Sequence, residues 1–92
     1  MLIAVLYSYN GDAATMDAER PAHRAYLDSH PGLRLSGPTA AGGAVIIIEA
    51  DSAPALEQWL DDDPFWKAGV ISQRTVTPWN PVMGTWREQL GV

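Results

Sequence analysis

Two continuous apolar runs dominate the pattern of hydrophobic and polar residues along the chain. They cover residues 2–9 and 44–50, and the turn-forming residues Asn10-Gly11-Asp12 end the first run. Short apolar runs without polar alternation are typical of strands that are buried on both faces of a sheet. Residues 33–36 and 70–77 instead mix polar with apolar positions, which predicts edge strands.

Helical periodicity accounts for most of the remaining sequence. Apolar positions spaced by about 3.6 residues predict a first helix over residues 15–29. Pro21 conflicts with a regular helix, so this helix either kinks there or begins its regular part at Pro21. Ser52 is placed to cap a second helix, and Asp63 is placed to cap one further helical turn over residues 64–68.

The predicted elements follow the order β-α-β-β-α-β, which is the ferredoxin-like arrangement of the α+β class with a four-stranded antiparallel sheet. A flexible connection is expected over residues 37–43, between the second and third strands. We expect one domain over residues 1–81, followed by a tail over 82–92 that packs on the domain or on a dimer partner. Helices on one side of such a sheet leave its other face bare, which favours a homodimer.

Composition narrows the classes of function. With 92 residues and 47% hydrophobic content, the chain has enough apolar surface for one core. The net charge of −5 argues against nucleic-acid partners and against binding to anionic membranes. The chain has no cysteine, which is compatible with a location in the reducing cytoplasm. Its first basic residue is Arg20, so the N-terminal apolar run is interpreted as a strand and not as a signal peptide.

His23 and Asp63 are the leading candidates for chemistry. The predicted helix turns His23 toward the core, where a buried imidazole needs a hydrogen-bond partner. Asp63, which precedes Pro64, is the strongest candidate for that partner. His23 would act as general acid or base and Asp63 would orient the ring. The alternative is structural: His23 would be a satisfied core histidine, and Asp63 a helix cap.

Four further residues are candidate substrate contacts. Arg20 lies one turn before His23 and is placed to hold an anionic or phenolate oxygen, or else to pair with a nearby acid. Tyr9 and Ser36 lie at strand ends and would contribute hydroxyl groups, whereas Trp79 would wall an apolar pocket or join the core.

No metal or cofactor is expected. His23 and His30 are seven residues apart, about two helical turns, which is too far for the usual same-face ligand pair at i and i+4. The chain also has no glycine-rich phosphate motif after a strand.

Five short motifs together resemble the YCII-related (YciI-like) family. In chain order they are Arg20-x-x-His23-x-x-Tyr26-Leu27, Leu35-Ser36-Gly37-Pro38, the apolar strand at residues 45–48, Asp63-Pro64-Phe65 and Thr77-Pro78-Trp79. The resemblance implies a ferredoxin-like protein that pairs into a dimeric α+β barrel, with a His–Asp pair at His23 and Asp63 in a proposed active-site cleft. A related dehydrochlorinase of chlorinated hydroxyquinones implies acid–base elimination on a small aromatic molecule.

Three hypotheses for the function follow. The first is a cofactor-independent enzyme that uses the His–Asp pair for elimination or isomerisation of a small molecule. The second is a non-catalytic ligand-binding or interaction module in which the pair is structural. The third is a heme- or oxygen-handling enzyme of the same barrel architecture, which rests on fold-level analogy alone.

Overall fold

A four-stranded antiparallel sheet carries the fold in the computed structural model, which describes residues 1–91. Its strand order is β2-β3-β1-β4, so the two apolar runs form the central strands and the two mixed segments form the edges. The predicted ferredoxin-like fold is therefore confirmed. The elements are β1 (Leu2–Tyr9), α1 (Ala13–Asp28), β2 (Leu33–Thr39), β3 (Gly43–Glu49), α2 (Ala53–Leu60), α3 (Pro64–Lys67) and β4 (Ile71–Pro78).

The core lies between the helices and one face of the sheet. Ile3 and Val5 of β1 are fully buried on this face, and they pack with Leu56 and Leu60 of α2 and with Phe65 of α3. Since side chains alternate along a strand, the intervening residues point to the opposite face.

That opposite face is only partly covered. Leu6 is 45% exposed and Val45 is 38% exposed, while Leu90 of the tail packs against Leu2 and Ile47. The prediction that both central strands are buried on both faces is therefore wrong for this chain alone, because the helices cover a single face. The tail predicted over residues 82–92 includes Val92, which lies outside the described residues.

Helix α1 begins earlier than the periodicity predicts. Asp12 caps it: the Thr15 amide donates to Asp12 Oδ1 over 3.1 Å, so the helix starts at Ala13. The helix continues through Pro21, which means that its regular part does not begin there. Because Pro21 is exposed, water can solvate the carbonyl group that has lost its helical partner.

The connection between β2 and β3 is shorter than predicted. Strand β2 continues to Thr39 and β3 begins at Gly43, which leaves a turn over residues 40–42. Pro38, opposite Ala44, is tolerated because β2 is an edge strand and a proline there sacrifices no necessary ladder hydrogen bond. Within residues 1–91, no helix has the length and apolar character needed to cross a bilayer.

Candidate functional site

The side chains of His23 and Asp63 are in contact where the buried face of α1 meets the start of α3. Nδ1 of His23 lies 2.7 Å from Oδ1 of Asp63, and the two residues are 7% and 0% exposed. Helical spacing places His23 on the buried face with Leu27, and Asp63 reaches it from the N-cap position of α3. The sequence therefore brings together two polar groups that are 40 residues apart.

The cap of α3 fixes both partners of this pair. Oδ1 of Asp63 also accepts the backbone N–H of Phe65 over 3.0 Å. The Phe65 ring stacks on the imidazole, with a centroid distance of 3.9 Å and an interplanar angle of 1°. One short helical turn thus holds both the carboxylate and the surface on which the His23 ring rests.

Tyr7 completes the network, and the sequence reasoning missed it. Its hydroxyl group donates to Oδ2 of Asp63 over 3.1 Å, so the carboxylate has partners on both oxygens. Burial, followed by the charge of Asp63 and this hydrogen bond, raises the pKa of Tyr7 above its ordinary value. Strand alternation was the available clue, since it places Tyr7 on the same buried face as Ile3 and Val5, where a hydroxyl needs a partner.

The hydrogen bonds determine which ring nitrogen is available. A carboxylate only accepts hydrogen bonds, so a neutral His23 ring that is bonded to Asp63 carries its proton on Nδ1. Nε2 is then the basic nitrogen that Asp63 leaves free, and His23 borders a cleft. An imidazole held in this way is chemically able to take or give a proton at Nε2.

The cleft lies between α1 and the β2–β3 hairpin and has a volume of about 530 Å³. Its strand side carries small residues, among them Gly43 and Ala44, which leave room above the sheet. Tyr9, Phe65 and Met16 contribute aromatic and apolar surface to its lining. The volume lies within the range of small-molecule sites.

Three of the four predicted contact residues border this cleft. Arg20 lines it while pairing with Asp17, with Nη1 2.6 Å from Oδ1, and Ser36 lines the opposite wall. Tyr9 packs edge-on against Phe65 at 5.6 Å between ring centroids. Burial and then the charge of Asp63 raise the pKa of Tyr9, while Arg20 acts in the opposite direction.

Trp79 lies away from the cleft. It follows β4, and its backbone N–H donates to the carbonyl of Leu2 over 3.0 Å, at the far end of β1 from Tyr9. The residue is 42% exposed. Arg24, which the sequence reasoning missed, also borders the cleft. Its position one turn after Arg20 was the clue.

Metal-ligand geometry is not found in the described part of the chain. No three side chains of the His, Cys, Asp or Glu types come together there in a way that could hold an ion. His30 lies apart from His23, and its Nδ1 accepts the backbone N–H of Gly32 over 2.9 Å.

The chain is similar to curated YciI proteins and to a solved dehydrochlorinase structure. Protein YciI from Escherichia coli O6:H1 and Protein YciI from Shigella flexneri are each 34% identical over 77 residues, covering 68% of this chain and 79% of the relative. The 5-chloro-2-hydroxyhydroquinone dehydrochlorinase TftG from Burkholderia phenoliruptrix AC1100, solved with 2,5-dihydroxybenzoquinone, is 26% identical with a TM-score of 0.79; the match covers 87% of this chain and 94% of TftG.

An antibiotic biosynthesis monooxygenase is 16% identical with a TM-score of 0.52, covering 88% of this chain and 100% of that one, and it shows the fold alone. The model of the YCII-related domain matches residues 1–80, which is most of the chain. Together with the YciI relatives, this match shows that the chain belongs to the YCII-related family.

Proposed function

We propose that this protein is a small-molecule enzyme in which His23 is the general acid–base and Asp63 orients its ring. The observation that carries the proposal is the 2.7 Å contact between Nδ1 and Oδ1, in a pair of which only His23 borders the cleft. Asp63 holds the ring so that Nε2 is the basic nitrogen, and it stabilises the imidazolium that forms when Nε2 takes a proton. No step of this mechanism requires a cofactor.

The reaction class follows from what one base in a small cleft can do. Nε2 removes a proton from a carbon or hydroxyl group of the substrate, and the electron pair left behind forms a new double bond. If formation of that double bond breaks the bond to a leaving group, which departs with its electron pair, the reaction is an elimination. If it instead displaces the electrons of a neighbouring double bond, and the imidazolium returns the proton to the atom that receives them, the reaction is an isomerisation. In both cases the proton is the only species that His23 carries.

A hydroxylated quinone or a similar oxygenated ring is the substrate class that the site favours. The structural neighbour TftG is a dehydrochlorinase of such a ring. The aromatic and apolar lining residues of the cleft suit a ring face, while Arg20 and Ser36 are available for its oxygen atoms. Arg20 would favour the ionised form of a ring hydroxyl, which is the form that expels a leaving group.

The test is chloride release from 5-chloro-2-hydroxyhydroquinone by the wild type and by two histidine variants. His23→Gln should lower the rate by about 10²- to 10⁴-fold, the usual contribution of general acid–base catalysis. His30→Gln is the matched control, because His30 lies outside this cleft, and it should keep the wild-type rate. Full activity in a folded His23→Gln protein would refute the assignment of the base.

A second function, non-catalytic ligand binding, is favoured by one observation. Asp63 caps α3 and accepts from Tyr7, so the carboxylate has a structural role whether or not His23 transfers protons. This hypothesis predicts that replacing His23 or Asp63 lowers the melting temperature, and that no oxygenated ring compound is turned over. Turnover that depends on His23 would eliminate it.

We further propose that the protein acts as a homodimer that buries the sheet face opposite the helices. Leu6, Leu35 and Val45 are 45%, 46% and 38% exposed, and all three lie on that face. A bare apolar sheet face is an unfavourable surface in water, and a second copy covers it by symmetry.

A further inference from the structure

Arg74 occupies an unusual position for a cation, beneath the segment that carries Asp63. It lies on edge strand β4 opposite Tyr7, so its side chain is on the helix side of the sheet. Nη2 donates to Oδ1 of Asp61 over 2.7 Å, and the guanidinium carbon lies 3.8 Å from the centroid of the Trp66 ring. The Arg74 side chain is 10% exposed, whereas that of Asp61 is 54% exposed.

The two contacts bracket the residues that build the candidate site. Asp61 is the C-cap of α2 and lies two residues before Asp63, and Trp66 follows directly after Phe65, on whose ring His23 stacks. One guanidinium therefore holds the segment 61–66 on both sides of the carboxylate. Tyr7, the cross-strand neighbour of Arg74, donates to that same carboxylate.

Stability alone is a poor explanation for this arginine. Nη1 is buried and has no hydrogen-bond acceptor among residues 1–91. A buried cation with one unpaired nitrogen pays a desolvation penalty that its ion pair repays only in part, and a well-packed apolar residue often does as well or better. A planar guanidinium does, however, combine an ion pair through its edge with a stack through its face, which an aliphatic side chain cannot do.

We propose that Arg74 is a positioning residue for the His23–Asp63 pair, acting through Asp61 and Trp66. It holds the segment 61–66 so that the Asp63 carboxylate stays in register with Nδ1 of His23. Nothing in the described structure places Arg74 in the cleft, so it does not touch the substrate. Its importance for catalysis rests on the proposed function, whereas its effect on His23 does not.

The test follows the imidazole nitrogens of His23 by ¹⁵N NMR, at a pH where the ring is neutral. The wild type should carry its proton on Nδ1. Asp61→Asn and Arg74→Gln should move the ring toward the Nε2–H form, which free imidazole side chains prefer in water. Asp62→Asn is the matched control. It removes the same charge from the neighbouring residue, but Asp62 pairs with Lys67, at 3.6 Å, and not with Arg74.

Trp66 supplies an independent pair of variants. Trp66→Phe keeps an aromatic face under the guanidinium and should retain the wild-type nitrogen shifts, whereas Trp66→Leu should resemble Arg74→Gln. A loss of register should also lower kcat by about tenfold to a hundredfold with little change in KM, since misplacement by about 1 Å can cost that much. A residue with a merely structural role would lower the melting temperature without changing the tautomer of the folded protein.

Two results would overturn the proposal. One is a folded Arg74→Gln protein whose His23 nitrogen shifts equal those of the wild type. The other result applies if Arg74→Gln does not fold. It is the observation of wild-type His23 nitrogen shifts in both Asp61→Asn and Trp66→Leu, two variants that alter more exposed residues than Arg74. Absence of turnover in the wild type would count against the proposed function only, because the NMR readout needs no substrate.

Discussion

Tyr7→Phe removes one oxygen atom and leaves a buried carboxylate oxygen without its donor. Tyr7 is 3% exposed, Asp63 is fully buried, and their hydrogen bond measures 3.1 Å. Hydrogen bonds to charged groups contribute about 1.5–3 kcal/mol, and because both residues are buried, bulk water does not replace the lost donor. We therefore expect the free energy of unfolding to fall by about 2 kcal/mol, near the middle of that range.

Thermal unfolding measures this loss directly. For a domain of this size, 1 kcal/mol shifts the melting temperature by roughly 4–8 °C, so Tyr7→Phe should melt roughly 8–16 °C below the wild type. Tyr26→Phe is the matched control. Its hydroxyl donates over 2.7 Å to a neutral acceptor, the carbonyl of Trp59, in a partly exposed setting. The loss there should be about 1 kcal/mol or less.

The comparison of the two variants decides whether the reasoning holds. If Tyr7→Phe costs no more than Tyr26→Phe, the Tyr7 hydroxyl does not support the carboxylate in the way that the geometry implies. The Asp63 charge would then be held by the His23 ring and the Phe65 amide alone. The same variant should also shift the His23 nitrogen signals, because a less restrained carboxylate orients the ring less tightly.

Three further predictions concern pH, backbone packing and assembly. Because folding raises the pKa of Tyr7, the contribution of this tyrosine to stability is complete below about pH 10, where an unfolded tyrosine ionises, and it is lost as the pH rises above that value. The alkaline fall in melting temperature should therefore be shallower in Tyr7→Phe than in the wild type. Equal slopes in the two proteins would contradict this prediction. Gly32→Ala should destabilise the fold by about 3 kcal/mol or more in a thermal melt, since the new methyl group would lie 1.9 Å from the carbonyl oxygen of Glu49. Gly37→Ala is the control: its methyl group meets no atom within 4 Å, so this variant should melt near the wild type. Light scattering at micromolar concentration should give a dimer mass for the wild type and a monomer mass for Leu35→Glu, with the exposed Gln58→Glu as control; a monomeric wild type would refute the dimer.

The strand order and the contact between His23 and Asp63 could be predicted because each rests on a pattern with a physical cause. Apolar runs without alternation mark central strands, and a histidine on the apolar side of a helix requires a partner. Tyr7 was missed because a tyrosine within an apolar run contributes to the pattern through its ring, while its hydroxyl carries no periodic signal. The extent of β2 was missed because Pro38 and the neighbouring glycines favour a turn locally, and only pairing with β3 keeps them extended.

Arg24 and Trp79 show a different limit of the sequence. A helical wheel divides α1 into an inner and an outer side, but the cleft opens along the flank of the helix, so Arg24 borders it without being buried. Trp79 was expected to wall an apolar pocket or to join the core, but the antiparallel pairing of β4 with β1 carries it to the end of the sheet opposite Tyr9. Which end of a strand faces a cleft depends on where the helices lie across the sheet, and this is a tertiary property.

The structural and the catalytic interpretations of Asp63 do not compete, because the same geometry serves both. As the N-cap of α3, the carboxylate is anchored by the Phe65 amide, and that anchor fixes Oδ1 at hydrogen-bonding distance from His23. A carboxylate that was free to rotate would lose side-chain entropy each time it oriented the ring, whereas the cap has already imposed that loss during folding. The cap, the Tyr7 hydroxyl and the segment held by Arg74 therefore all restrain one carboxylate, and a site that needs Nε2 as its base gains from each of these restraints.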